Sequence, residues 1–260
     1  MTAAAPSGVH IAWERRGRGE PLLLIHGLGY ARWGWEPVAD ALAEGHEVVL
    51  LDNRGIGESD APAGPYSVSD MAGDAVAVLD EAGIERAHVL GTSLGGMIAL
   101  QLVLEHPDRV DKLVLACTTP GGAGAAPMPE RTTRLLAEAQ GLPAEVALRR
   151  FVENAFGLDP DPAQIERIMR HRIATAQAPA AWAAQASAGA TFDVWERLGE
   201  IHAQTLVLTG DEDAVVDPKN SDILAARIPQ ARVETFAGGG HLFFWEQPDR
   251  FVALVEEFLL

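Results

Sequence analysis

The stretch Ala87-His88-Val89-Leu90-Gly91-Thr92-Ser93-Leu94-Gly95-Gly96-Met97-Ile98-Ala99-Leu100 decides how this chain is read. An apolar, strand-like run ends at a Gly-x-Ser-x-Gly pentapeptide, and a long apolar helical pattern over Leu94–Glu105 begins directly after it. The five residues alone are a weak signal. A strand before them and a helix after them make it strong, because that is the setting of a nucleophile elbow. A serine on so tight a turn projects its hydroxyl beyond the sheet, and Gly91 and Gly95 let neighbouring backbone come close. The helix that follows aims its free N–H groups and positive dipole end at the same point, favouring developing negative charge. Ser93 is therefore the candidate nucleophile.

An unassisted serine hydroxyl attacks poorly and needs a base. Among eight histidines, His241 stands in Gly238-Gly239-Gly240-His241, after a strand-like run and before the C-terminal helical pattern. Such a loop can swing an imidazole over a strand end. The base needs an acidic partner, and Thr209-Gly210-Asp211-Glu212-Asp213-Ala214-Val215-Val216-Asp217 offers three candidates. Spacing does not choose among Asp211, Asp213 and Asp217. The chain order is Ser, Asp, His, as in strand–turn–helix hydrolases and unlike the other triad orders. An oxyanion hole needs two donors: the backbone N–H of Leu94, and one from the early loop Ile25-His26-Gly27-Leu28-Gly29, with Leu28 the candidate. His26 reads as loop geometry rather than as a second base.

Strand-like runs near residues 9–14, 21–25, 47–51, 87–90, 110–116, 205–208 and 232–236 alternate with helical patterns near 35–44, 68–82, 94–105, 220–227 and 249–259. Runs such as Leu22-Leu23-Leu24-Ile25 are apolar throughout, which suits strands covered on both faces. The pattern predicts an α/β fold with a mostly parallel central sheet flanked by helices. The alternation stops between about residues 118 and 198, where helical spacing continues without strands. The expected division is a core of residues 1–118 and 199–260, with a helical insertion over 119–198 covering one edge of the sheet.

A formal net charge of -17 is a poor basis for gripping phosphate backbones, so no nucleic-acid partner is expected. With one cysteine, no intramolecular disulfide can form. Cys117 ends the apolar run Leu113-Val114-Leu115-Ala116-Cys117 and reads as a buried structural residue. No signal-peptide pattern and no run of 18 apolar residues is found, so a cytoplasmic enzyme without a membrane segment is the expectation. No His/Asp cluster at ligand spacing appears, and neither a metal nor an organic cofactor is expected.

Four motifs spread over nearly the whole length resemble the α/β-hydrolase-fold superfamily. They are His26-Gly27 after a strand, Asp52-Asn53-Arg54-Gly55-Ile56-Gly57-Glu58-Ser59-Asp60, the elbow Gly91-Thr92-Ser93-Leu94-Gly95-Gly96, and Gly210-x-x-Asp213 followed by Gly240-His241. The resemblance implies that Asp213 is the acid of the triad. It makes residues 52–60 a structural loop with no catalytic role for Arg54 or Ser59, and the insertion a cap that shapes the pocket. It further implies a serine hydrolase of the carboxylesterase or 3-oxoadipate enol-lactonase kind, acting on a small-molecule ester or lactone through an acyl-enzyme. A C–C bond hydrolase of the meta-cleavage type and a slow-turnover small-molecule receptor are the alternatives. Serine at position 93 in place of aspartate argues against the dehalogenase and epoxide hydrolase branches, and Gly29 in place of a nearby proline against perhydrolases. Trp33, Trp182 and Leu242 are the expected pocket residues. Trp35, Phe243, Phe244 and Trp245 suit pocket or core equally. A dianionic lactone would need cations, for which Arg131, Arg134, Arg149 and Arg150 are the candidates.

Overall fold

The computed structural model describes residues 1–260. Eight strands form one sheet: β1 (Thr2–Ala4), β2 (His10–Gly17), β3 (Glu20–Ile25), β4 (His46–Leu51), β5 (Ala87–Thr92), β6 (Val110–Ala116), β7 (Gln204–Gly210) and β8 (Ala231–Phe236). Their order is β1-β2-β4-β3-β5-β6-β7-β8. The β1–β2 and β2–β4 pairs are antiparallel, and every pair from β4 across to β8 is parallel. The helices are α1 (Ala39–Leu42), α2 (Val68–Ala82), α3 (Leu94–Glu105), α4 (Glu130–Ala139), α5 (Ala144–Asn154), α6 (Pro162–Ala174), α7 (Pro179–Ala190), α8 (Lys219–Arg227), α9 (Phe243–Glu246) and α10 (Pro248–Leu259). None is long and apolar enough to cross a membrane.

The unbroken apolar runs belong to strands with two covered faces. Alternation along each strand sorts their side chains into two cores. Leu23, Ile25, Val49, Leu51, Val89, Leu113, Leu115 and Val207 pack with residues of α2, α3 and α8. Leu22, Leu24, Val48, Leu50, Leu90, Val114, Leu206 and Leu208 pack on the other side with α1, α9 and α10. Helix α2 starts on a capping box formed by Ser67 and Asp70 and stops at Gly83, whose φ of 71° ends it in the left-handed conformation.

Two local expectations are corrected. The helical pattern over 35–44 breaks into a 3₁₀ turn at Arg32–Trp35 and the single turn of α1. Pro37 lies between them and lacks the N–H to continue a helical ladder, and the backbone leaves the helical region at Val38, with a φ of -127°. The edge strand β1, three residues of Thr and Ala, has no apolar alternation by which a sequence would reveal it.

Between β6 and β7 the chain forms α4 to α7. The only strand-like contact there is an isolated antiparallel bridge between Gly121 and Asp193, backed by Val194 N–H donating to the Pro120 carbonyl at 3.0 Å. The two stems of this helical segment therefore meet beside the sheet.

The loop after β4 is a scaffold. Asp52 accepts from the backbone N–H groups of Arg32 at 2.7 Å and Glu58 at 3.0 Å, and the Ser59 hydroxyl donates to the Asp52 carbonyl at 2.6 Å. Arg54 and Asp74 of α2 form a buried two-bond ion pair, at 2.6 and 2.7 Å. Removing one member of such a pair leaves a bare buried charge. Asp74→Ala is expected to cost roughly 3–5 kcal/mol of folding free energy, measured by chemical denaturation, with Asp74→Asn costing less.

Candidate active site

Strand β5 and helix α3 meet at Ser93, whose φ of 54° and ψ of -120° lie outside the ordinary regions for a side-chain-bearing residue. The turn is pinned from behind. Ser93 N–H donates to the Ala116 carbonyl at 2.9 Å, and the Thr118 hydroxyl donates to the Ser93 carbonyl at 2.7 Å. Gly95 is required at this spot, because a Cβ there would stand 2.0 Å from the carbonyl oxygen of Ile25. The backbone of Gly27 runs beside the serine, so close that a Cβ on it would meet the Ser93 Cβ at 2.9 Å. The loop carrying Leu28 and the N-terminus of α3 carrying Leu94 thus flank the hydroxyl from two sides. Asn53 holds that loop in place by donating to the His26 carbonyl at 2.8 Å. His26 itself is a spacer: its ring stacks on Tyr30 at 4.6 Å, and burial lowers its pKa to about 3.

The three aspartates after β7 separate by what they touch. Asp211 accepts from Gly238 N–H, and Asp217 accepts from Lys219 N–H at the start of α8. Asp213 alone reaches His241, with Oδ2 2.7 Å from Nδ1, while its Oδ1 accepts from the N–H groups of Val215 and Val216 at 2.8 and 2.9 Å. Its side chain is wholly buried. The His241 loop is fastened to the helical segment: Glu246 accepts from both Gly157 and Gly240 N–H groups, and Leu242 N–H donates to the Ala155 carbonyl. Burial alone would lower the His241 pKa. The adjacent Asp213 charge and hydrogen bond outweigh it and hold the ring well above 6.5. Ser93 and His241 line one cavity but do not hydrogen-bond in this structure.

A cavity of about 850 Å³ joins these groups, lined by Ser93, His241, Leu28, Trp182 and Leu242 together with side chains of α4 and α5. Phe244 also lines it, whereas Trp35, Phe243 and Trp245 are core. Trp33 does not belong to it. Its indole stacks on His171 at 4.7 Å, donates to the Thr175 hydroxyl, and borders a separate polar cavity with Glu14, Arg32 and Glu58 that contains no triad residue. The four expected cations are elsewhere as well. Arg134, Arg149 and Arg150 pair with Glu130, Glu166 and Glu138, and these three and Arg131 all line outer clefts.

Two residues of the cavity escaped the sequence reading. Arg172 enters it from α6 without an ion pair, its guanidinium 5.1 Å over the Tyr30 ring and filling the space a side chain at position 29 would take. The signal was present: Arg172 falls three and four residues after Met169 and Ile168, on the buried face of α6. Cys117 is buried as expected, but it sits just past β6 with a φ of 44°, lining the cavity beside the His241–Asp213 pair.

The sequence profile of the alpha/beta hydrolase fold family matches residues 20–248, and the chain belongs to that family. It is 34% identical, over 96% of its length and 95% of the other, to an Azorhizobium caulinodans protein provisionally named carbamate hydrolase RutD. It is 33% identical, over 96% of its length and 92% of the other, to 2-hydroxy-6-oxo-6-phenylhexa-2,4-dienoate hydrolase of Comamonas testosteroni. Among solved structures it superposes on Est816, described as an N-acyl homoserine lactone degrading enzyme, with a TM-score of 0.86 and 30% identity over 99% of this chain and 100% of that one. The chain is therefore a hydrolase of the α/β fold.

Two of the buried histidines, His241 and His26, should titrate on opposite sides of pH 6.5. In histidine NMR, His241 is expected to keep its proton above that pH and His26 to remain neutral down to about 3. A folded pKa below the unfolded one means that His26 adds stability fully above pH 6.5. That contribution is lost as pH falls from 6.5 toward 3.

Proposed function

We propose that the chain hydrolyses a small carboxylic ester or lactone through an acyl-enzyme on Ser93. The observation that carries this reading is that His241, paired with Asp213 at 2.7 Å, lines the same cavity as a serine held on a strained strand–helix turn. His241 takes the Ser93 proton as the hydroxyl attacks the carbonyl, and Asp213 fixes the ring orientation and balances the imidazolium. The backbone N–H groups of Leu28 and Leu94 receive the oxyanion. His241 then protonates the leaving group and activates the water that frees the acid. The neutral ring is the base, so activity is expected to fall as pH drops through its raised pKa.

The α4–α7 segment acts as the cap, with residues 119–198 as its extent, and it sets the substrate. Its contribution to the cavity is largely apolar, through Leu136, Ala147, Leu148 and Phe151, and its one cation there is Arg172. A single unpaired guanidinium suits one carboxylate or strongly polar group on an otherwise apolar substrate, and suits a dianion poorly. The same pairing of one anion with an apolar group favours a second reading, C–C hydrolysis of a 2-hydroxy-6-oxo-dienoate, in keeping with the activity named for the Comamonas relative.

A panel of p-nitrophenyl esters of rising chain length, a homoserine lactone and a meta-cleavage dienoate separates the two. Ester or lactone turnover exceeding dienoate turnover is expected, with Ser93→Ala lowering kcat by ~10⁶. Full esterase activity in Ser93→Ala would overturn the reading. Arg172→Leu should raise KM about tenfold or more for an ester carrying a free carboxylate, relative to its neutral counterpart.

A further inference from the structure

Cys117 is a buried thiol that the hydrolytic cycle above does not use, and its position is specific. It follows β6 directly, its N–H donates to the Leu208 carbonyl at 2.9 Å, and its φ of 44° turns it out of the strand direction. There the sulfur, a His241 ring nitrogen and an Asp213 carboxylate oxygen all lie within 4.8 Å of one another. All three residues are buried, and two of them, Cys117 and His241, line the cavity that a small ion would enter.

We propose that Cys117, His241 and Asp213 form a latent site for a soft divalent cation of the zinc class, and that filling it switches the hydrolase off. The donor set is one sulfur, one imidazole nitrogen and one carboxylate oxygen, a combination suited to tetrahedral zinc or cadmium with a fourth position left for water. Donors that all lie within 4.8 Å of one another can close on one ion at bonding distances of about 2.0–2.3 Å through side-chain shifts. Asp213 is ready for the role, since two backbone N–H groups fix Oδ1 while Oδ2 faces the imidazole. Glu246, the other carboxylate near this loop, is fully engaged by the Gly157 and Gly240 N–H groups and stays out of the set.

The proton balance explains the inhibition. The cation displaces the thiol proton to solvent and takes the Nδ1 lone pair. A neutral ring shifts its proton from Nδ1 to Nε2, and a protonated ring releases its Nδ1 proton to solvent; either way Nε2, the nitrogen that would otherwise accept from Ser93, ends protonated. A ring with Nε2 protonated and Nδ1 bound to metal cannot act as the base. The thiolate and carboxylate together match the two positive charges and the metal-bound imidazole is neutral, so the filled site carries no net charge.

The loss of activity rests on the role proposed for His241, whereas metal binding itself does not, and the two are read separately. Cadmium added to the wild-type protein should bind one per chain and produce a thiolate-to-metal charge-transfer absorption. Since Cys117 is the single cysteine, that band has one possible source. Cys117→Ala and Cys117→Ser should lack the band and need at least about tenfold more zinc for half-inhibition. Asp213→Asn, which keeps the thiol, should bind cadmium at least about tenfold more weakly. Equal zinc sensitivity in both cysteine variants, or a band of unchanged affinity in Asp213→Asn, would overturn the three-donor site. A wild-type band with no loss of hydrolysis would leave the metal site standing and refute the role given to His241.

Discussion

The site depends on one close approach. Strand β5 hands over to helix α3 at a residue with positive φ, and the first turn of that helix lies directly against the end of β3. Gly95 leaves no room for even a methyl group beside the Ile25 carbonyl, so any larger residue there would push α3 off the sheet. This contact places the Ser93 hydroxyl, the free N–H groups of α3 and the Gly27–Leu28 loop around a single point. Strain at such a position survives because its surroundings over-determine it. Here the surroundings are the Ala116 and Thr118 hydrogen bonds and two apolar cores packed on either face of the sheet.

Around that fixed point the remaining parts arrive from distant sequence by a common device. Each parallel strand ends at the same edge, and the loop beyond it is tied by backbone hydrogen bonds before its functional side chain is presented. Asn53 ties the loop after β3, the Val215 and Val216 N–H groups tie Asp213 after β7, and Glu246 ties the glycine loop after β8. The buried Arg54–Asp74 pair does the same for the loop after β4, well away from the chemistry. Order in the loops, rather than any single strong bond, is what holds His241 and Ser93 against one cavity.

Much of this was legible in the sequence, because the strands are unbroken apolar runs and the helix-breaking residues stand at their ends. All seven strand-like runs coincide with strands, and α2 and α3 have the expected bounds. Legibility failed where contacts between distant segments decide. Three aspartates in one acidic turn look alike until the His241 ring is seen to meet only Asp213, while Asp211 holds the backbone of the same loop at Gly238. Arg134, Arg149 and Arg150 carry the same charge as Arg172, but carboxylates on neighbouring helical turns hold them at the surface. Arg172 points inward because Ile165, Ile168 and Met169 share its face of α6, a pattern that is visible in the sequence. Cys117 read as the end of a strand and proved to be the first residue beyond it, set beside the His241–Asp213 pair with a backbone angle no residue pattern announces.

The helical segment contributes a mostly apolar wall and one cation to the cavity, so under the proposed function the chemistry belongs to Ser93 and the choice of substrate to α4 to α7. The most direct test of the chemistry is intact-protein and peptide mass spectrometry on enzyme quenched in acid during turnover of a p-nitrophenyl ester. A mass increase equal to the acyl group, at one per chain and mapped to the peptide carrying Ser93, is the expected result. An unmodified Ser93 peptide during active turnover, or the acyl group on Cys117 instead, would contradict it.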